Sequence, residues 1–200
     1  MLAVAVSRSA ARLRLEHPAQ AADLALWPFA FTAELAFDLS AEALRVAMRL
    51  VNRHAGPAPA GLGLHPYFPR APGSRLQFRA TGVWRATPDR LPIALGPVPP
   101  SWDHAAGLPV GTVALDDVFA GWDGIAAIGL GARAMTLTGS AIFRHLVVFT
   151  PPGADFFCVE PVSHATDAVN RPESASVTGL VVLAPGEALE GELVFRVAAG

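Results

Sequence analysis

The stretch GLGLHPYFPR, residues 61–70, sets His65 between a Gly-Leu-Gly-Leu run and a Pro-Tyr-Phe-Pro run. Imidazole titrates near neutrality and can give or take a proton there. A residue that precedes proline is pushed toward extended geometry, so Pro66 helps fix the backbone of His65, while Gly61 and Gly63 let the chain pass close to another group. A ring held in this way is either a proton-transfer group or a packed histidine with one hydrogen bond, and Tyr67 and Phe68 suit a core or a sugar-stacking wall equally. The second cluster is FFCVEPVSHATDAVN, residues 156–170, in which Glu160 follows an apolar run and precedes Pro161, where a strand leaves its sheet. A carboxylate beside Phe156, Phe157 and Val159 loses hydration, which raises its proton affinity toward that of a general base at neutral pH. The plainer alternative is a surface glutamate at a strand end. His164, Asp167 and Asn170 bind hydroxyls or cap turns.

A third cluster, LDDVFAGWDG, spans residues 115–124. Asp116 and Asp117 point to opposite sides if extended, so only one faces a given pocket. Phe119 or Trp122 could stack on a sugar ring or pack beneath a loop. Other chemistries are weaker. His65, His145, His164 and Glu160 lack the short spacing of a metal motif, so no metal is expected. Ser163 lacks the G-x-S-x-G elbow of a nucleophile. Cys158, in an apolar strand, reads as an inert core thiol. No glycine-rich phosphate cradle is present.

The elements that must position these groups are short. Eighteen prolines and eighteen glycines in 200 residues leave little room for long helices. FTAELAFDLS, residues 31–40, alternates with period two and predicts a strand with one buried face. EALRVAMRLVN, residues 42–52, fits a strand or a helical stripe, and a strand paired with its predecessor as a hairpin is the preferred reading. Further strands are expected at 75–80, 83–87, 134–138, 144–150, 155–160, 178–183 and 191–197. The aperiodic stretch 87–111, rich in proline and glycine, is expected to be a functional loop or a loose surface excursion. Many short strands separated by turns indicate an all-β sandwich or barrel in a single domain, residues 1–200. The apolar fraction of 52% is inflated by 38 alanines, and all 15 basic residues are arginine. These arginines are scattered and the formal net charge is -2, which argues against nucleic acid as a partner. One cysteine allows no internal disulfide, and no apolar run reaches a membrane span, so a soluble cytoplasmic protein is expected.

Three stretches in this order resemble the aldose 1-epimerase (galactose mutarotase) family: GLGLHPYF, LDDVF, and FFCVEPVSHATDAVNRP followed by VVLAPGEALEGELVF. WPFAFTAELAFDLS with LRVAMRLVN is similar to the family's approach to its HPYF segment, so the resemblance runs from about Trp27 onward. It implies an antiparallel β-sandwich of the galactose mutarotase-like (supersandwich) type whose concave surface holds an aldose sugar. It also implies His65 as general acid, Glu160 as general base, and Asp116, with Asp117 as fallback, as a hydroxyl-binding carboxylate. Tyr67, His164 and Asn170 are the further substrate-binding candidates. The implied reaction interconverts the α and β anomers of an aldose and needs no cofactor, metal or covalent intermediate. Family members usually carry a further N-terminal portion that supplies an arginine and a second histidine, and this chain is expected to be short there. His17, Arg8, Arg12 and Arg14 lie in the wrong context to substitute.

The sequence also fits two other functions. One is a non-catalytic carbohydrate-binding or remnant domain with an incomplete site. The other is a hexose-6-phosphate mutarotase-like protein, for which Arg70, Arg75 and Arg79 are the nearest approach to a phosphate-binding cluster.

Overall fold

The computed structural model describes residues 2–6, 11–171 and 173–197. The first half of the chain supplies β1 (Leu2–Val6), β2 (Ala11–Pro18), β3 (Phe31–Leu39), β4 (Ala43–Asn52), β5 (Ala58–Ala60), β6 (Tyr67–Pro69), β7 (Arg75–Phe78), β8 (Gly82–Ala86) and β9 (Pro92–Gly96). The second half supplies β10 (Leu108–Pro109), β11 (Asp116–Ala120), β12 (Ile125–Leu130), β13 (Arg133–Gly139), β14 (His145–Phe149), β15 (Phe156–Val162), β16 (Val181–Leu183) and β17 (Ala188–Val197). The α-helices among the described residues are short, α1 (Ala21–Leu26) and α2 (Ala175–Thr178). None is long and apolar enough to cross a membrane.

The strands form a nine-stranded sheet, ordered β1-β2-β3-β4-β17-β13-β12-β7-β10, and a six-stranded sheet, ordered β6-β15-β14-β11-β8-β9. A two-stranded β16-β5 pair forms a separate sheet, packed on the larger one through Ala60, Leu183 and Leu189. The long pairings along the larger sheet, β2 to β3, β3 to β4 and β4 to β17, are antiparallel, as are those of the smaller one. One continuous core joins the two sheets. Val46, Leu76, Ile128, Leu137 and Leu193 from the larger sheet and Val83, Phe119, Leu146, Val148 and Phe157 from the smaller are fully buried together. The molecule is therefore an antiparallel β-sandwich. Truncating any one of these leucines to alanine costs about 2–5 kcal/mol, the lost transfer energy plus the cavity left behind.

The 31–52 hairpin forms as expected, with register Phe37↔Val46 and Leu35↔Met48. Ser40 makes its turn: its backbone N–H donates to the Ala43 carbonyl at 2.8 Å, and its hydroxyl accepts from the Ala43 N–H at 3.1 Å. The strand reading of β4 wins because alternation serves both faces. Val46 and Met48 enter the core, while Arg49 on the outer face reaches Glu190 at 2.7 Å and Glu34 at 3.2 Å on its two neighbouring strands. The one-sided burial expected of 31–40 is only partial. Leu35 and Phe37 pack on the core, but Leu39 is exposed, because β1, β2 and β3 extend the large sheet beyond the strands that carry its fully buried residues.

One expectation is corrected, and two open alternatives are decided. Residues 178–183 are not one strand. Thr178 ends α2, and Gly179, at φ 78°, turns the chain before β16 begins at Val181. The 87–111 stretch is not a loose excursion, since it contains β9 and β10 and closes the β8–β9 hairpin. Phe119 and Trp122 are not available to a sugar. Phe119 is fully buried, and Trp122 is sealed in the core with its indole N–H donating to the Ile125 carbonyl at 2.9 Å.

Candidate active site

The histidine and glutamate motifs meet because one antiparallel register carries both. At the edge of the smaller sheet, Tyr67 opposes Cys158 and Phe68 opposes Phe157. The same register returns beyond Pro66, where Gly63 bridges Val162 and the Leu64 N–H donates to the Pro161 carbonyl at 3.2 Å. His65 therefore stands opposite Glu160. Pro66 has no N–H to give a ladder, which its place on the edge segment tolerates; Pro161 lies one strand in, on β15 opposite Leu146 of β14. Farther along, Leu62 and Ser163 lock the pairing: the Ser163 N–H donates to the Leu62 carbonyl at 2.8 Å, and the Leu62 N–H donates to the Ser163 hydroxyl at 2.9 Å. Both glycines are there for close approach. A Cβ on Gly61 would stand 2.0 Å from the His164 ring, and one on Gly63 would stand 3.0 Å from Val162.

His65 Nε2 lies 3.2 Å from Glu160 Oε1. The histidine side chain is 51% exposed and the glutamate side chain 11%, so solvent reaches the pair from one side only. Tyr67 stacks on the His65 ring at 4.8 Å with an interplanar angle of 14°, and Phe156 flanks Tyr67 at 5.2 Å. Burial, and secondarily the Asp116 carboxylate, push the Glu160 carboxyl up to about 7. Cys158, two residues earlier on the same face of β15, is fully buried, and its thiol is pushed up to about 11 by burial first and then by Glu160 and Asp116.

Asp116 opposes Phe149 on β14, which opposes Cys158 on β15, so Asp116 shares the face of Cys158 and Glu160. Asp117 turns to the other face, where burial raises its proton affinity and its carboxylate accepts the Asp116 N–H at 3.2 Å. Sequence reasoning gave Asp116 no partner, and the structure gives it Arg90, whose Nε lies 3.1 Å from the carboxylate. Arg90 sits at φ 67° in the β8–β9 turn, where its N–H donates to the Thr87 carbonyl at 2.9 Å. No sequence signal marked Arg90. Cys158 is the buried thiol of an apolar strand that its sequence implied, and it shares the face of Glu160 because residues two apart on a strand do.

The remaining candidates stand elsewhere. His164 lines a separate apolar cavity of about 460 Å³ with Trp27, Phe29, Leu50 and Asp167, and its Nδ1 lies 2.8 Å from the Ala165 carbonyl oxygen. Asn170 is exposed and donates from its side-chain amide to Asp167 at 2.6 Å, a turn-closing role. No described contact joins either residue to the His65–Glu160 pair. His145 is buried, and burial lowers it to about 4. Arg70 and Arg75 donate to the carbonyls of Pro151 and Gly107. His17 pairs with Asp23 at 2.9 Å; Arg8 and the side chains of Arg12 and Arg14 lie outside the described residues.

The family sequence model described as aldose 1-epimerase matches residues 4–196. This chain belongs to the aldose 1-epimerase family. A curated relative in Escherichia coli (strain K12), uncharacterized protein YphB, is 36% identical over 172 residues, which cover 81% of this chain and 58% of YphB. The chain thus spans somewhat more than half the length of that relative. A crystal structure from Escherichia coli K12, provisionally described as an aldose 1-epimerase, superposes with a TM-score of 0.81 at 29% identity, covering 98% of this chain and 68% of the other. Galactose 1-epimerase from Lactobacillus acidophilus NCFM gives a TM-score of 0.80 at 15% identity, covering all of this chain and 66% of that one, a likeness of fold. The sandwich is thus that of the aldose 1-epimerase family.

Proposed function

We propose that the protein is a mutarotase that interconverts the α and β anomers of an aldose, with His65 and Glu160 as its proton-transfer pair. The observation that carries this reading is the 3.2 Å approach of His65 Nε2 to Glu160 Oε1 on a half-open face, with the glutamate poised near neutrality. In a pyranose the anomeric hydroxyl and the ring oxygen share one carbon, C1, so an acid and a base that serve both must stand side by side. Glu160 takes the proton of the anomeric hydroxyl. The O–H electron pair becomes the second bond of the aldehyde, the C1–ring-oxygen bond breaks, and protonated His65 gives its proton to the departing ring oxygen. Rotation about C1–C2 presents the other face of the aldehyde, and the same transfers run backward to close the ring. Nothing is consumed. A carboxyl at about 7 suits a group that must take and return a proton at neutral pH.

Asp116 and Tyr67 are the sugar-binding groups this reading favours. Asp116, oriented by Arg90, accepts hydrogen bonds from sugar hydroxyls, and the Tyr67–Phe156 wall packs on the apolar side of the ring. His164 and Asn170 belong to the neighbouring cavity and turn, so sugar groups they reach are remote from C1.

Polarimetry on freshly dissolved α-D-glucose and α-D-galactose tests the proposal. The protein accelerates the approach to anomeric equilibrium, and His65→Ala or Glu160→Gln reduces that acceleration by about 10²–10⁴-fold. Unchanged rates in both variants refute the assignment.

A further inference from the structure

The register that aligns His65 with Glu160 brings a third donor to the same spot. His65, Cys158 and Glu160 each offer one ligand atom, and those atoms all lie within 4.8 Å of one another. Two strands supply them: Cys158 and Glu160 lie two apart on one face of β15, and His65 reaches across from the edge segment. Cys158 is fully buried, and no hydrogen bond to its thiol is described. Glu160 is likewise buried, and its described ion-pair partner is His65. Two buried donors thus converge under an imidazole that is half exposed and leaves an ion a way in.

We propose that this trio is a binding site for a borderline divalent cation, Zn²⁺ being the occupant its nitrogen, sulfur and oxygen donors fit best. Zn²⁺ bonds to imidazole nitrogen and carboxylate oxygen at about 2.0–2.1 Å, and tetrahedral angles then set the two ligand atoms about 3.3 Å apart. His65 Nε2 and Glu160 Oε1 already stand at 3.2 Å. With a thiolate bond of about 2.3 Å, tetrahedral geometry sets the sulfur about 3.6 Å from each of the other two atoms, to which it must close from a separation of at most 4.8 Å. A thiolate and a carboxylate neutralise the ion's two charges, and the thiol proton leaves to solvent as the sulfur bonds the metal. Three protein ligands leave a fourth position for water or a sugar hydroxyl.

The consequence is inhibition, and this part rests on the acid–base reading above. A bound Zn²⁺ occupies the imidazole lone pair and the carboxylate oxygen that proton transfer needs, and it competes with the sugar for the same face. Cys158 takes no part in proton transfer, so it is the ligand through which metal binding separates from mutarotation.

The test uses the full chain after dialysis against a chelator. Co²⁺, a spectroscopic stand-in for Zn²⁺, is expected to bind one per chain with a thiolate-to-cobalt charge-transfer absorption that stoichiometric Zn²⁺ abolishes. Calorimetric titration with Zn²⁺ in buffers of different ionisation enthalpy should show proton release. Zn²⁺ should lower the mutarotation rate at least tenfold, with recovery on chelation. In Cys158→Ser the charge-transfer absorption disappears, Zn²⁺ affinity falls at least tenfold, and the basal mutarotation rate persists in Zn²⁺ that silences the parent protein. His65→Ala, a truncation at a half-exposed position, should lose Zn²⁺ affinity in the same way. Absence of the charge-transfer absorption in the parent protein, or equal Zn²⁺ affinity in the parent and both variants, overturns the site. A protein that bound the metal as described but never turned over a sugar would refute the mutarotase reading alone.

Discussion

Asp116 and Glu160 look out from one face of the smaller sheet with a single strand between them, and after burial it is the Asp116 charge that lifts the Glu160 carboxyl toward 7. A general base works only when ionised, so the mutarotation rate should fall about tenfold per pH unit below 7. Replacing Asp116 by asparagine removes the repulsion and lets Glu160 ionise at lower pH. The acidic midpoint of kcat/KM therefore moves down in Asp116→Asn, while KM rises through the lost hydroxyl contact. A midpoint that stayed in place or moved up would show that the two carboxylates do not interact as their placement implies.

Glu160 also sets a stability cost with a definite pH window. Its folded-state value of about 7 lies above the ordinary 4.5, so between those limits the native state holds a proton that the unfolded state has released. Stability must then decline as pH rises through that interval, by at most roughly 3 kcal/mol in all. Glu160→Gln removes the titration. Its melting temperature should match that of the parent near pH 4.5 and exceed it by several degrees at pH 8, a contrast readable by calorimetry across the range.

Much of the edge that carries the site was legible in the sequence. HPYF and the late Glu-Pro pair could be aligned as motifs, and Pro66 signalled extended backbone at His65; Pro161 instead suggested that the strand ends after Glu160, whereas β15 runs on to Val162. What a linear reading could not supply was register, which depends on partners distant along the chain. The buried, inert thiol read at Cys158 is what the structure holds, but that His65 faces it and Glu160 across the edge segment was not visible. Arg90 was hidden more deeply, since only the β8–β9 turn brings it to Asp116, and the proline-rich stretch around it has no period to read. His164 and Asn170 were grouped with Glu160 because they follow it closely, yet the chain leaves β15 at Val162, and later residues answer to a different cavity.

His145 makes the fold sensitive to acid. Its ring nitrogens are sealed without a well-aligned partner, and the nearby backbone of Val177 and Ser163 offsets only part of the burial that lowers it to about 4. The unfolded residue takes a proton near 6.5, so the contribution of neutral His145 is complete above 6.5 and is lost as pH falls toward 4, amounting to about 3 kcal/mol at most. His145→Leu, which cannot take up a proton, should shift the acid-unfolding midpoint to lower pH when circular dichroism is followed from pH 7 to 3. An unshifted midpoint would assign acid unfolding to other groups.

The two glycines around His164 can be ranked by what an added methyl would meet. At Gly61 a Cβ would stand 2.0 Å from the edge of the His164 ring, a side chain able to swing away at the expense of its contact with the Ala165 carbonyl. At Gly179 the Cβ would stand 2.3 Å from the Ser163 carbonyl oxygen, which is backbone fixed by the ladder that aligns His65 with Glu160, and φ there is +78°. Overpacking costs about 1–3 kcal/mol where neighbours can adjust, and an alanine forced into left-handed backbone adds about 1–2 kcal/mol. Gly61→Ala should thus lower the unfolding free energy by about 1–3 kcal/mol, and Gly179→Ala by more. Because Ser163 pairs with Leu62, only three residues from His65, Gly179→Ala should also depress the mutarotation rate at temperatures where the variant remains folded, and denaturant titration beside polarimetry separates the two effects.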